Sequence, residues 1–214
     1  MKVNTDGVLL GAAMTIPEHA SLMLDIGTGT GTIALMAAQR CQTADIQAID
    51  IDEASAREAA QNFRESPWSG RLSAFHTALA SFKPDCRYDH IFSNPPYYDN
   101  SLTNPDGRKA EARHSLNLSY THILAFASEH LTPDGTLSLI LPADAEKNLL
   151  RQAGSFGLFP FRLMRVRTTP KKKPSRLIAE FSFRKTTPAE ELLTIQESGK
   201  YTREYISLTD DFYS

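Results

Sequence analysis

The sequence is poor in the residues that mark secreted, metal-binding or membrane-spanning proteins. Its 214 residues include only two cysteines, Cys41 and Cys86, which lie far apart and match no disulfide, metal or redox spacing. The six histidines are scattered and form no ligand-like pair. No uninterrupted apolar run approaches the ~18 residues of a membrane span, and the start does not resemble a signal peptide. These absences predict a protein of the reducing cytoplasm, with no structural metal and no membrane partner.

A strong charge of one sign is also lacking. The formal net charge is only −2, so the overall balance does not indicate a nucleic-acid partner. The distribution along the chain is less even, because no acidic residue stands between Glu146 and Glu180. The nine basic residues in that stretch are Lys147, Arg151, Arg162, Arg165, Arg167, Lys171, Lys172, Lys173 and Arg176. Such a stretch is typical of a phosphate-binding surface, with a solvated loop and strand edge as the alternative.

Length and composition favour a single α/β domain. Hydrophobic residues make up 41% and charged residues 22% of the chain, which is ordinary for a globular protein, and 214 residues are enough for one full core. We therefore expect residues 1–214 to form one domain. The chain starts abruptly, with a predicted turn at residues 4–7 and a short apolar helix over Val8–Met14. We expect a preceding segment to be missing.

A glycine-rich turn between a strand and a helix is the first motif. Leu22–Ile26 has the apolar character of a buried strand, and the residues after the turn have helical spacing. Gly27, Gly29 and Gly31 allow positive φ angles and a close approach of a ligand to the backbone. Doubly wound sheets bind nucleotide-like ligands at such turns. Thr32 stands where the dinucleotide fingerprint requires a glycine, which argues against NAD. An ordinary strand-to-helix turn is the alternative.

An acidic residue follows at the end of the next predicted strand. Ile46, Ala48 and Ile49 suit a central strand, and Asp50 lies at its carboxyl end. An acid roughly 20 residues past the glycine turn is placed to accept hydrogen bonds from ribose hydroxyls, although a plain strand-end acid fits too. Asp52 is expected to cap the helix that follows, because aspartate is a favoured N-cap.

The second motif is Asn94-Pro95-Pro96-Tyr97, directly after a predicted strand over Tyr88–Ser93. A double proline cannot continue a sheet or a helix, so the chain leaves the strand in a stiff, extended form. We expect this to fix the Asn94 side chain and the nearby carbonyls beside the glycine turn. A simple strand terminator is the alternative for the double proline alone.

The rest of the chain continues the alternation of strands and helices. Residues 99–117 are polar and turn-rich, which is typical of a mobile substrate loop. The residues Pro170–Pro174 form a basic connection between two predicted strands. The further predicted elements are helices over Thr30–Arg40, Glu53–Arg64, Ser119–His130 and Ala143–Gly154, strands over Arg71–Phe75, Thr136–Leu141, Gly157–Arg167 and Arg176–Arg184, and a turn at Thr132–Gly135.

Together the two motifs resemble those of the class I S-adenosylmethionine-dependent methyltransferases that modify a planar amino nitrogen. The resemblance implies a Rossmann-like fold with a mostly parallel, seven-stranded sheet and helices on both faces. It implies S-adenosylmethionine bound by Asp25, Gly27, Gly29, Gly31 and Asp50. It further implies a catalytic segment, Asn94, Pro95, Pro96 and Tyr97, in which the Asn94 side chain and the Pro95 carbonyl accept hydrogen bonds from the target amine. Tyr97 would stack on the target base.

A closer resemblance spans nearly the whole chain. Lys2–Gly11, Ser93–Tyr98, Ala112–His114, Pro170–Pro174 and Tyr201–Tyr213 are similar to segments of the bacterial tRNA1(Val) adenine-N6 methyltransferases. This resemblance implies methylation of adenosine 37 in a valine tRNA. It implies that Thr5 and Asp6 lie against the cofactor and that Arg113 lies in the substrate loop, and the phosphates would be held by Lys171, Lys172 and Lys173. Ala78 stands where many relatives have an acid for the cofactor adenine, so backbone groups and apolar packing are expected there.

Two alternatives stay open on the sequence alone. Glutamine methyltransferases of peptide release factors share the Asn-Pro-Pro-Tyr motif, but usually carry a helical domain before the glycine turn, where this chain has only about 20 residues. A protein that binds the cofactor and RNA without catalysis is the other. The intact segment from Asn94 to Tyr97 argues against it.

Overall fold

The computed structural model describes residues 5–96 and 118–212, in which strands and helices alternate. The helices are α1 (Thr5–Ala13), α2 (Thr32–Arg40), α3 (Glu53–Glu65), α4 (Tyr120–His130), α5 (Glu146–Ser155) and α6 (Arg203–Thr209). The strands are β1 (Leu22–Ile26), β2 (Asp45–Asp50), β3 (Leu72–His76), β4 (Tyr88–Ser93), β5 (Leu131–Pro142), β6 (Phe159–Arg167), β7 (Arg176–Ser182), β8 (Ala189–Thr194), β9 (Gln196–Glu197) and β10 (Lys200–Tyr201).

Strands β1 to β8 form one sheet in the order β3-β2-β1-β4-β5-β7-β6-β8, and β9 and β10 form a separate hairpin. Within the large sheet, β7 is antiparallel to both of its neighbours and all other pairs are parallel. Helices α1, α2, α3 and α6 pack on one face, and α4 and α5 on the other. The mostly parallel α/β fold is confirmed. The described residues contribute eight strands to this sheet, so the expected number of seven is wrong.

The additional strand, β8, has a weak apolar pattern. Leu193 is buried, but its neighbour Leu192 is 54% exposed. Ion pairs to β6 fix the position of the strand, since Arg162 lies 2.7 Å from Glu191 and Arg165 lies 3.0 Å from Glu190. A search for alternating apolar residues misses a strand that is held by cross-strand charge pairs.

Local signals predicted several boundaries well. Strands β1 and β4 have the predicted limits. The Asp52 carboxylate accepts a hydrogen bond from the Ser55 N–H at 2.8 Å and caps α3, as predicted. The Ser119 hydroxyl accepts from the His122 N–H and caps α4, at the residue where this helix was expected to begin.

Other boundaries differ for identifiable reasons. The predicted turn at Thr132–Gly135 lies inside β5, because the register against β4 jumps from the pair Tyr88–Leu131 to the pair His90–Thr136 and absorbs the extra residues. Helix α5 begins only at Glu146, after a short 3₁₀ turn. Helix α1 begins at Thr5, within the segment that was expected to be a turn. None of the described helices is both long and apolar enough to cross a membrane.

Much of the basic stretch is neutralised inside the fold. The Arg162 guanidinium donates to the buried Glu180 carboxylate at 2.8 Å. Arg165 pairs with Glu146, and Arg176 pairs with Asp6 at 2.7 Å. These arginines stabilise the sheet and α1, so the expectation of a continuous phosphate-binding surface is wrong for them. The three consecutive lysines of the stretch are considered with the site below.

Gly31 sets the start of α2, two residues later than predicted. As the residue before the helix, it has a φ of +84°, a backbone conformation that residues with a side chain rarely adopt. A Cβ atom at Gly31 would also lie 2.5 Å from a ring carbon of Phe63, which is buried between α3 and the sheet. The missing side chain at Gly31 therefore allows α2 and α3 to pack together.

Replacing Gly31 by alanine is expected to lower the free energy of unfolding by about 2–4 kcal/mol, since left-handed strain adds to overpacking against Phe63. Urea unfolding measures the effect. Gly70→Ala is the matched control, because Gly70 is exposed and its Cβ would meet nothing within 4 Å. A Gly31→Ala protein as stable as this control would contradict the packing role.

Candidate active site at the carboxyl edge of the sheet

The two sequence motifs meet where β1, β2 and β4 end. The Ser93 hydroxyl, at the end of β4, donates a buried hydrogen bond to the Ile26 carbonyl at 2.6 Å. The N–H groups of Gly27 and Thr28 donate to the Ile49 carbonyl of β2 at 2.9 and 3.1 Å. These bonds lock the three strand ends together. Sequence reasoning missed Ser93, although a small hydroxyl residue beside the Asn-Pro-Pro segment was a usable signal.

Asp50 is bound to the glycine turn. Its carboxylate accepts from the Gly29 N–H at 2.8 Å and from the Asp52 N–H at 2.9 Å. A carboxylate has about four acceptor positions, so these two bonds leave capacity for further donors. The half-buried Asp50 also lines the cavity described below.

Asp25 lies fully buried behind the turn. One of its carboxylate oxygens accepts from the Thr28 hydroxyl at 2.7 Å, and the other oxygen has no hydrogen-bond partner in the described part of the chain. Burial, with a smaller effect from the negative charge of Asp50, raises the pKa of Asp25 from 3.8 to about 7. A buried carboxyl with an unsatisfied oxygen is costly unless a ligand or a proton supplies its partner.

The three glycines of the turn play different parts. Gly27 has a φ of +71° and lines the cavity, where the Leu118 side chain lies 3.1 Å from the position of a Cβ. Gly29 has a φ of +56° and donates to Asp50. Gly31 is required by the packing of α2 on α3 and is not among the described walls of the cavity.

A cavity of about 460 Å³ opens beside the turn, within the usual size range of small-molecule sites. Its walls come from the ends of β1 and β2, the segment after β3, and α4. The described wall residues are Ile26, Gly27, Ile49, Asp50, Ile51, Thr77, Ala78, Leu79, Ala80, Lys83, Pro96, Leu118, His122, Ala125, Phe126 and Glu129.

Several wall residues were missed by sequence reasoning. Ile51 is an apolar side chain that is 44% exposed directly after Asp50, and this exposure cannot be read from the sequence. Phe126 lies on α4, and sequence reasoning assigned it no role in a site. Its ring stacks on His130 with a centroid distance of 4.1 Å, so it forms a fixed wall. The wall segment Thr77–Ala80 lies after β3 and contributes four consecutive residues to the cavity.

The Asn-Pro-Pro segment lies against this cavity. Asn94 is half-buried, Pro95 is buried, and the exposed Pro96 contributes to the cavity wall. The structure therefore brings the second motif to the glycine turn, as predicted. Tyr97 and Arg113, the predicted stacking and loop residues, lie outside the described residues.

Thr5 and Asp6 occupy the first turn of α1. The Asp6 carboxylate accepts from the Arg176 Nε at 2.7 Å, which ties α1 to the start of β7. Neither Thr5 nor Asp6 is among the described residues that line the cavity.

Lys171, Lys172 and Lys173 are exposed in the connection between β6 and β7, and none of them forms an ion pair with a described residue. Backbone hydrogen bonds order this lysine loop (residues 168–175): the Lys172 N–H donates to Thr169 and the Ser175 N–H to Val166, at 3.0 and 2.9 Å. In the described ranges, no three His, Cys, Asp or Glu side chains are grouped to hold a metal ion.

Replacing Asp25 by asparagine is expected to stabilise the cofactor-free protein at pH 8 and to have little effect near pH 4. The folded-state pKa is raised, so the contribution of this carboxyl to stability is present below pH 3.8 and is lost as the pH rises through about 7. Asparagine keeps the shape without the charge. The gain at pH 8 is at most about 4 kcal/mol by urea unfolding.

The exposed Asp45, at the start of β2, provides the control. The Asp45→Asn protein should stay within about 0.5 kcal/mol of the parent at both pH values. A constant difference between Asp25→Asn and the parent from pH 4 to pH 8 would rule out the buried charge as its cause.

Comparison with known proteins identifies relatives along the full chain. The family described as "Methyltransferase small domain" matches residues 7–153. A Bacteroides fragilis protein named tRNA1(Val) (adenine(37)-N6)-methyltransferase is 44% identical over 217 residues, covering 100% of this chain and 91% of that protein. A Flavobacterium psychrophilum protein of the same name is 41% identical, covering 100% of this chain and 92% of the relative.

Solved structures agree on the fold. The crystal structure of a protein from Agrobacterium tumefaciens, described as a predicted O-methyltransferase, superposes with a TM-score of 0.72 over 95% of each chain. It is only 19% identical, so this likeness concerns the fold alone. The sequence relatives extend over the glycine turn, the Asn-Pro-Pro segment and the lysine loop alike. The chain thus belongs to the tRNA1(Val) (adenine(37)-N6)-methyltransferase family, within the methyltransferase small-domain proteins.

Proposed function

We propose that this protein transfers a methyl group from S-adenosylmethionine to the N6 amine of adenosine 37 in a valine tRNA, as the names of its relatives state for them. The observation that carries the proposal is the position of Pro96 in the wall of the cavity that Gly27 and Asp50 also line. A cofactor bound there would lie beside the segment that is built to hold an amino group. We propose that residues 1–214 act as one domain, and a tRNA substrate implies a cytoplasmic enzyme.

The residues around the cavity fit S-adenosylmethionine. Asp50 has spare acceptor capacity for ribose hydroxyls, and Gly27 lines the cavity without a side chain. Asp25 is fully buried and is not among the described walls of the cavity, so it would act by supporting the turn through its hydrogen bond with Thr28. Ile51 and Leu79 provide apolar surface for the adenine. When bound, the cofactor supplies an activated methyl group on a positively charged sulfur.

Further cofactor contacts are proposed on the family pattern. Gly29 would act through its hydrogen bond to Asp50, and Gly31 through the placement of α2. Thr5 and Asp6 would act from the start of α1, where Asp6 is already bound by Arg176.

The catalytic task is to make a planar amino nitrogen nucleophilic. Its lone pair is delocalised into the adenine ring, so the nitrogen attacks only as it becomes pyramidal. The Asn94 side-chain oxygen and the Pro95 carbonyl would accept hydrogen bonds from its two N–H groups. Because the prolines keep both acceptors in place, they stabilise charge that develops in the transition state. Tyr97 would stack on the base and hold it in line.

The substrate RNA would be held near the same edge. A base in an anticodon loop must leave its stack to reach the cofactor, which costs less in a loop than in a duplex. Lys171, Lys172 and Lys173 would bind the phosphates of that loop, and Arg113 would assist from the substrate loop.

The deciding experiment is a methyl-transfer assay with labelled S-adenosylmethionine. Unmodified bulk tRNA, a peptide release factor and duplex DNA are offered in parallel, and the modified group is identified by mass spectrometry. N6-methyladenosine in one tRNA is the expected product. Label in the release factor would replace the proposal with glutamine methylation, and no label in any substrate would favour a non-catalytic protein.

Asn94→Ala is expected to lower kcat by about 10²–10³-fold or more, because it removes a preorganised acceptor. The affinity for S-adenosylmethionine, measured by calorimetry, should change by no more than a few-fold. Asn148→Ala is the control, since Asn148 is exposed on α5 away from the cavity wall. Normal turnover by the Asn94→Ala enzyme would remove Asn94 from the mechanism.

Replacing the three loop lysines together by alanine is expected to weaken tRNA binding and to flatten its dependence on salt. The slope of log K against log salt is negative, and each lost phosphate contact makes it less steep by about one. The triple Lys→Arg variant keeps the charge and should keep the slope. Filter binding at several salt concentrations measures both, and an unchanged slope in the alanine variant would exclude the lysine loop from the interface.

A further inference from the structure

The C-terminal segment lies directly beside the lysine loop. After β8, the Ile195 N–H donates to the Arg167 carbonyl at 3.0 Å and the Gln196 N–H donates to the Thr168 carbonyl at 2.9 Å. The β9–β10 hairpin therefore starts alongside the first residues of the loop. The hairpin has no role in the glycine turn or in the Asn-Pro-Pro segment.

The sheet order places the hairpin at the carboxyl edge of the sheet, where the candidate active site lies. Strands β4, β5, β6 and β8 all run in the same direction, so their carboxyl ends share one edge. Along that edge the order is Asn94 after β4, then the end of β5, then the lysine loop, then the segment after β8. Neighbouring strands lie about 4.8 Å apart, so the four steps from β4 to β8 span about 19 Å across the sheet.

Tyr201 in β10 forms an exposed aromatic platform. Its side chain is 56% exposed, while its ring stacks on Tyr205 with a centroid distance of 5.0 Å and an interplanar angle of 28°. Tyr205 is buried and fixed in the core. Between them, Thr202 caps α6 and donates its hydroxyl to the Thr194 carbonyl at 2.6 Å. The platform is thus anchored on the sheet.

A cleft of about 430 Å³ adjoins the platform. Its described walls are Glu197, Ser198, Tyr201, Thr202, Arg203 and Glu204. The two carboxylates disfavour a phosphate inside the cleft, but they can accept hydrogen bonds from the amino and imino groups of a base. Arg203 forms no ion pair with any described residue and is exposed. Phosphates would instead meet Lys200 and the lysine loop outside the cleft.

We propose that the Tyr201 cleft binds an unpaired nucleobase of the RNA substrate, while the adjoining backbone phosphates lie on the lysine loop. The outer face of Tyr201 stacks on the base, and Glu197 and Glu204 accept hydrogen bonds from its edge. Aromatic stacking beside a basic surface is the usual way in which proteins hold single-stranded nucleic acid. The inference rests on the proposed function, because it takes the substrate to be RNA.

The test compares Tyr201→Ala, Tyr201→Leu and Tyr201→Phe with the parent protein. The probe is an unmodified valine tRNA transcript, and fluorescence anisotropy gives its Kd at several salt concentrations. Alanine and leucine are expected to weaken binding about five-fold or more, because a stacked base is lost. The salt slope should stay unchanged, since no phosphate contact is removed. Phenylalanine keeps the ring and should stay within two-fold.

A leucine side chain would still cover the Tyr205 ring, so the leucine variant tests the proposal even if the alanine variant does not fold. Leu192→Ala, at an equally exposed apolar residue of β8, is the control and should bind like the parent. Methyl transfer adds a second measurement, in which the leucine variant should raise KM for tRNA and leave kcat within two-fold. If the parent protein methylates tRNA and Tyr201→Leu binds tRNA like the parent, the proposed role of the cleft is overturned and the proposed function is not. A parent protein that neither binds nor methylates tRNA would overturn the proposed function and the cleft together.

Discussion

One buried hydrogen bond joins the two halves of the site. The Ser93 hydroxyl reaches the Ile26 carbonyl at 2.6 Å, across 67 residues of sequence. Ile26 is the last residue of β1 before the glycine turn, and Ser93 is the last residue of β4 before the double-proline segment. Because the Gly27 N–H is bonded to Ile49 in turn, three strand ends share one frame. Group transfer depends on such fixed geometry, since small misplacements of the reacting groups cost much of the rate.

Two fully buried carboxylates among the described residues of the sheet differ in how many hydrogen bonds they accept. Glu180 is surrounded by donors, with bonds from Thr15, Ser138 and Arg162 at 2.7 to 2.9 Å. Asp25 accepts from the Thr28 hydroxyl, and one of its oxygens lacks a partner among the described residues. A saturated buried charge fixes the packing of a core, whereas an unsaturated one destabilises the fold until something binds. The contrast separates a structural acid from an acid at the proposed cofactor turn.

The sequence predicted two central strands and two helix caps better than it predicted the far edge of the sheet. Strands β1 and β4 and the caps at Asp52 and Ser119 follow from local apolar runs and capping side chains, which a single sequence carries. Strand β8 depends on charge pairs with β6, which only the folded sheet brings together. Arg162 belongs to the basic stretch of the sequence, but in the structure it pairs with Glu180 of β7 as well as with Glu191 of β8. Long-range partners of this kind leave no local pattern.

The reversed direction of β7 has a consequence for what the site can accommodate. Parallel neighbours need a long crossover, usually a helix that returns along one face, whereas antiparallel neighbours can be joined by a few residues. Because β7 lies antiparallel between β5 and β6 in the sheet, the chain joins β6 to β7 by the short connection at residues 168–175 and not by a crossover helix. Among the described residues, no helix therefore lies in the connection that joins β6 to β7 at this edge. A short connection covers less of the edge than a crossover helix would, which suits a broad ligand such as the RNA of the proposed function.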